Sequence, residues 1–231
     1  MPQPPVSKGI KRSDKKPAAA ARQRYHHGDL REALLAAAER VLERDGLEKF
    51  TLRACAREAG VSHAAPAHHF GDLAGMTSVL AVRAFERLSA FMDRYAAEAA
   101  PDPRAMLPAM GVAYIDFALR HPGMYRLMFR IEANRTGDAV LQQAAADCHG
   151  RLTNSVRAVL AEQRAAPPDE ARVREASALA WSVVHGFSSL ALDGLFDADC
   201  PSVPGAGRGL LDYAGRVLLQ LQPVFVADAG R

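Results

Sequence analysis

The stretch Thr51–Phe70, TLRACAREAGVSHAAPAHHF, decides how the rest of the chain is read. Thr51 has the right side chain for a helix cap, because its hydroxyl can accept from a backbone N–H that the first turn leaves open. Leu52 to Ala59 follows as a short helix with Leu52, Cys55 and Ala56 facing inward. Gly60 breaks it, since glycine enters a left-handed turn at no steric cost. Ser62 offers a second cap, and the spacing predicts another short helix ending near Phe70. Two short helices across a tight glycine turn make a helix-turn-helix, whose second helix can enter a DNA major groove.

Working outward, Gly28 to Arg44 reads as an amphipathic helix, with Leu30, Leu34, Ala37, Val41 and Leu42 on one face and Gly46 as its stop. After the motif, a long helix is expected from Asp72 to Ala99, burying Met76, Leu80, Leu88, Phe91 or Met92, and Tyr95. Proline and glycine breaks then set further helices near 104–120, 122–131, 138–164, 169–196 and 206–221. Composition agrees. The 231 residues hold 45 Ala and 24 Leu against 23 Val, Ile and Thr together, which favours helix and leaves little for a sheet. The expected fold is all-α, a small N-terminal three-helix DNA-binding domain followed by a larger helical C-terminal domain.

Net charge is +3, unevenly spread: residues 1–73 hold 13 basic and 9 acidic side chains, the remainder 16 and 17. Within residues 1–24, seven basic side chains (Arg24 the last) face Asp14 alone, so a basic arm that contacts a polyanion is expected. A solvated tail is the plain alternative. The longest uncharged stretch, Ala176–Leu192, carries four serines and His185 and falls short of a bilayer span, so no membrane is expected. Cys55, Cys148 and Cys200 are odd in number and form no CxxC, which fits a reduced, cytoplasmic chain, and the N-terminus lacks the apolar run of a secretory signal.

The Thr51–Phe70 motif, with the D-G-L-E-K-F-T run before it and the terminal His69-Phe70, resembles the helix-turn-helix of TetR-family transcriptional regulators from Gly28 to Leu88. A second resemblance, carried by His121–Phe129 (HPGMYRLMF) and Trp181–Gly186 (WSVVHG), is to the C-terminal domain of a W…HG subgroup. It implies a homodimeric repressor that binds a palindromic operator and is released by a small-molecule effector. The implied organisation is a basic disordered arm at 1–27, the DNA-binding domain at 28–88, and a ligand-binding and dimerisation domain at 89–223. The sequence departs from the family at Ala67, where tyrosine is usual, and at Leu73, where lysine is usual; both usual residues meet phosphate. Pro66, expected about four residues into the recognition helix, removes a hydrogen bond there and should shorten the helix.

Candidate DNA contacts are Ser62, His63, Ala64, Ala67 and His68 on the second short helix, where histidine can donate to guanine N7 and alanine can touch a thymine methyl. Thr51, Arg53 and Arg24 would hold phosphate. For an effector, Met110, Tyr114 and Phe117 share one predicted face, Tyr125, Met128 and Phe129 cluster on the next helix, and Trp181 and His185 stripe a later one. Apolar walls with a few polar tips suit a small apolar ligand, and ordinary core packing is the alternative. Leu179, Val183, Gly186 and Leu190, with Leu211 and Leu218 on the last helix, offer a dimer face. No catalytic residue, metal or cofactor is expected, because GxSxG, HExxH, P-loop and GxGxxG signatures are missing. An effector-independent DNA-binding protein and a helical haem protein using His121 or His185 remain as alternatives.

Overall fold

A computed structural model describes residues 27–130, 138–162, 167–196 and 208–221. Arg24 and the rest of the basic arm, and Cys200, lie outside the described residues. The described chain is helical: α1 (His27–Asp45), α2 (Leu52–Ala59), α3 (Ala65–Phe70), α4 (Leu73–Glu98), α5 (Pro103–Arg120), α6 (Pro122–Met128), α7 (Ala139–Ala161), α8 (Glu170–Leu192) and α9 (Arg208–Leu219). A single 3₁₀ turn, Leu47–Lys49, joins α1 to α2.

Short acidic side chains start four of the nine described helices. Asp72 accepts from Gly75 N at 2.8 Å, Asp102 from Arg104 N at 2.8 Å, Asp138 from Leu141 N at 3.0 Å and Asp169 from Ala171 N at 3.2 Å. Each cap satisfies an N–H that the helix cannot, and places a negative charge at the positive end of the dipole. Thr51 does the same for α2, accepting from Ala54 N at 3.1 Å. At the other end of α2, Gly60 (φ 68°) is left-handed, with Val61 N closing onto Ala56 O. That is the glycine stop that the sequence predicts.

Helix α3 corrects one expectation. Ser62 does not cap it: the chain from Ser62 makes a turn, Ala65 N donating to Ser62 O, and Ala64 precedes the helix with no side-chain cap. Pro66 is the second residue of α3 rather than an interior one. A first-turn residue has no intrahelical N–H partner to lose, so proline fits there and sets where the helix begins. Similarly, α6 stops at Met128 and not at 131, and α8 at Leu192 and not at 196.

Helices α1 and α2 pack through Leu35, Ala38, Val41, Leu42, Ala54 and Cys55, with Phe50 between them, all buried, and Phe70 of α3 packs against this cluster. The same apolar cluster continues through Met76, Leu80 and Leu88 of α4 into α5 and α6, so a cut at residue 88 would fall inside α4. Ion pairs fasten α1 to its neighbours: Glu58 receives Arg40 at 2.9 Å and Arg44 at 2.8 Å, Arg87 reaches Glu39 at 3.0 Å, and Arg83 pairs with Glu32. The α1–α6 contact is of another kind. Glu43 accepts from Gly123 N at 2.8 Å and Met124 N at 3.1 Å, so one carboxylate of α1 holds two open N–H groups of α6. A Cβ at Gly123 would lie 2.7 Å from the Leu42 carbonyl oxygen, so only glycine permits this approach.

Candidate functional site

The outer surface of α2–α3 presents Thr51, Arg53, Ser62, His63, Ala64, Ala67 and His68, all exposed. The tertiary structure thus brings together every described residue of the predicted DNA face. Thr51 has spent one acceptor on Ala54 N, leaving its O–H to donate outward. Arg53 makes no ion pair with another described residue. Half-buried His69 sits edge-on to His68 (ring centroids 5.3 Å apart) and near Phe70 at 6.3 Å, and the Arg31 guanidinium covers the Phe70 ring at 5.2 Å. The sequence reading passed over Lys49 and Arg57, both exposed beside this face. Their basic charge next to the motif was the available signal.

In the C-terminal part, α4–α9 enclose a cavity of about 570 Å³. Met110, Tyr114, Met128, Phe129 and Trp181 line it as expected. Phe117, Tyr125 and His185 do not, and each has a physical reason. Phe117 is fully buried one turn beyond Tyr114, where it packs edge-on against Phe91 at 5.7 Å and against His121 at 5.3 Å, closing the cavity rather than lining it. Tyr125 and His185 form the layer beneath: Tyr114 Oη lies 3.0 Å and Tyr125 Oη 2.9 Å from His185 Nδ1. One imidazole nitrogen accepts one hydroxyl well, and the His185 carbonyl at 3.3 Å gives the Tyr125 hydroxyl a second acceptor. The sequence reading missed the α7 wall, Leu141, Ala145, Cys148 and Leu152, although these recur at helical spacing.

Burial pushes the Cys148 thiol up to about 11 and raises Tyr114 on the cavity wall, and raises Tyr125 in the layer beneath, so all three stay protonated. Burial also lowers His185 and His121 below the ordinary histidine range. Neither imidazole lines the cavity, so neither offers an axial ligand to a haem seated in it. The two histidines give a stability prediction. Their unfolded forms take up protons near pH ~6.5 that the folded chain refuses, so stability is full above that value and falls as pH drops through it toward the folded pKa. Urea unfolding midpoints should therefore decline over this window, less steeply in His185→Asn. An unchanged slope in both His185→Asn and His121→Asn would contradict the assignment.

The predicted dimer face is partly corrected. On α8, Leu179 and Leu190 are 37% and 45% exposed, Val183 is half-buried, and a Cβ at Gly186 would meet nothing within 4 Å. That row is open. Leu211 is half-buried against the core, and Leu218 is buried within its own subunit, where its side chain lies over Gly111 and lines the cavity. The outward leucine of α9 is Leu219, 52% exposed, because α9 turns its Ala214–Leu218 face toward α5.

Among the described residues, no helix is long and apolar enough to cross a membrane, and no group of His, Cys, Asp and Glu is placed to hold a metal ion. Comparison with known proteins gives two family matches, "Bacterial regulatory proteins, tetR family" at residues 34–76 and "Tetracyclin repressor-like, C-terminal domain" at residues 107–205. An uncharacterized HTH-type transcriptional regulator of Mycobacterium tuberculosis is 26% identical over 85% of this chain and 84% of its own. A solved protein of unknown function from Rhodococcus sp. RHA1 is 34% identical with TM-score 0.69, covering 86% of this chain and 97% of that one. A TetR family transcriptional regulator from Thermus thermophilus shares the fold, at 18% identity and TM-score 0.56 over 87% of this chain and 96% of its own. With the helix-turn-helix and the helical domain behind it both matched, the chain belongs to the TetR family of DNA-binding transcriptional regulators, which are not enzymes.

Proposed function

We propose that this regulator is a repressor that binds a palindromic operator as a homodimer and lets go when a small apolar effector fills the cavity. The observation that carries this reading is that one short helix serves both ends. Tyr125 of α6 and Phe129 just after it meet His185 under the cavity, Phe129 ring to His185 ring at 4.6 Å, while the first turn of α6 is held by Glu43 of α1. A ligand against Phe129 and Trp181 changes what α6 packs on, and any shift of α6 is delivered to α1 of the DNA-binding unit. A ligand acts only through its differential affinity for two arrangements, and this connection supplies a physical element that can differ between them. The open row Leu179–Gly186–Leu190 is the proposed dimer face; reading a palindrome requires the two α3 helices about one helical turn of DNA apart (~34 Å).

The contacts proposed for α2–α3 separate by role. Arg53→Ala should weaken binding to all sequences alike and flatten the log affinity–log salt slope by about 1.8 per dimer, about 0.9 for each phosphate released. His68→Ala should instead relax base preference at one position of each half-site. Fluorescence anisotropy with operator and scrambled duplexes at several salt concentrations reads both. Trp181, the only tryptophan and a cavity residue, reports the other site, and its emission should change at the effector concentration that releases DNA. Full-affinity binding of a half-site by a monomer, or DNA release without any change at Trp181, would refute the proposal.

A further inference from the structure

The cavity extends along α7. Its α7 wall runs from Leu141 to Val159, roughly 27 Å along a helix at 1.5 Å per residue. A run of lining residues this long on one helix suits an extended chain better than a compact ligand. Most of the lining is aliphatic or methionine: Leu88, Met92, Leu107, Met110, Leu141 and Leu152 are representative. The aromatic rings gather toward α6, and they are tilted or edge-on to one another, Phe129 to Trp181 at 41° and Tyr114 to His185 at 64°. No parallel pair of faces is offered to a flat ring system. The Tyr114 hydroxyl is already partnered by His185, so the interior presents no unmet polar demand.

The one charged side chain in the lining is Arg104, in the first turn of α5 and about half exposed. It pairs with Glu162 at 3.2 Å, which places it at the end of the cavity where α7 finishes. A charge deeper among the apolar side chains would be buried without a partner, which is strongly unfavourable. A carboxylate at this rim would stay hydrated and share or replace Glu162 as the partner of a guanidinium whose planar fork suits it.

We propose that the cavity takes a single-chain amphiphile, an unbranched acyl chain lying along α7 with its carboxylate at Arg104. This rests on the reading of the cavity as the effector site. Each pair of methylenes drawn out of water should tighten binding roughly tenfold, until the chain reaches the far end at Phe85 and Leu141, where the gain stops.

The test is a Trp181 fluorescence titration of the full-length protein with the saturated series octanoate, dodecanoate, palmitate, eicosanoate and tetracosanoate, each also as its primary alcohol. Affinity should climb steeply with length and then level off. Carboxylates should outbind alcohols by about tenfold, a preference that Arg104→Gln removes without changing the length dependence. Ala145→Leu, which narrows the α7 wall, should move the plateau to shorter chains. If that variant does not fold, the acid–alcohol series on the unmodified protein decides alone. Coenzyme A thioesters of the same chains form a second arm: binding by either form supports the acyl assignment and tells which is the source. A flat length dependence, or a naphthalene carboxylate that binds more tightly than dodecanoate, overturns the acyl chain while leaving the cavity as the effector site. A molecule that releases operator DNA equally from the Ala145→Leu protein, with Trp181 emission untouched, overturns the effector-site reading itself.

Discussion

Replacing Glu43 by alanine should leave a protein that binds operator DNA but no longer answers an effector. The carboxylate holds Gly123 N and Met124 N, the open N–H groups at the start of α6. Hydrogen bonds to a charged acceptor contribute roughly 1.5–3 kcal/mol each, and part of that is recovered when water reaches the freed groups. A net loss of about 2 kcal/mol lowers Tm by roughly 4–8 °C for a chain of this size. The coupling loss should exceed the stability loss in consequence. With the clasp gone, a movement of α6 meets α1 only through apolar contact around Leu42, which can slide. Operator release by a cavity ligand should become at least tenfold less sensitive to that ligand, while the Trp181 titration is unchanged. Glu43→Gln, which keeps one acceptor oxygen, should fall between. A Glu43→Ala protein with full effector response would place the coupling elsewhere, most directly in α4.

The second large effect is expected at Gly75, in the first turn of α4. Helix propensity by itself favours alanine there by about 1 kcal/mol. The tertiary structure says the opposite, since a Cβ at this position would sit 2.1 Å from the Phe70 carbonyl oxygen. That neighbour is backbone and cannot swing aside as a side-chain tip can. To admit the methyl, the corner between α3 and α4 must open, breaking the Asp72 cap on Gly75 N and tilting α3 with His68 and Ala67 on it. Overpacking of this kind costs typically 1–3 kcal/mol. If most of it falls on the placement of α3, operator affinity drops by about 100-fold, while effector binding read at Trp181 is preserved. A more stable Gly75→Ala protein with undiminished DNA binding would show that propensity wins and that the corner is softer than its geometry implies.

What the sequence by itself determined was local. The two short helices around Gly60, the cap at Thr51, the start of the long helix near Asp72, and the breaks before Pro103 and Pro122 follow from bonds made within a few residues, and side-chain type is enough to read them. The exposed face proposed to meet DNA was legible for the same reason. It lies on the outside of one contiguous motif, so no distant contact alters it. The misreading of Ser62 as the cap of α3 reflects two local signals in competition, and the fixed φ of Pro66 prevailed.

Only the tertiary structure decided the cavity and the faces of α8 and α9. Periodicity shows which side of a helix is apolar, not whether that side meets a packed neighbour, an empty space or a second subunit. Phe117 and Tyr114 share an inward face, yet Phe91 and His121 fill the space beside one and leave it open beside the other. Leu218 was as eligible as Leu219 for a dimer surface until Gly111 made room for it inside. The Glu43 clasp joins residues some eighty positions apart. A half-buried carboxylate facing the bare start of another helix leaves no trace in either local sequence, because the approach that makes the contact is set by the packing of α1, α4 and α6 together.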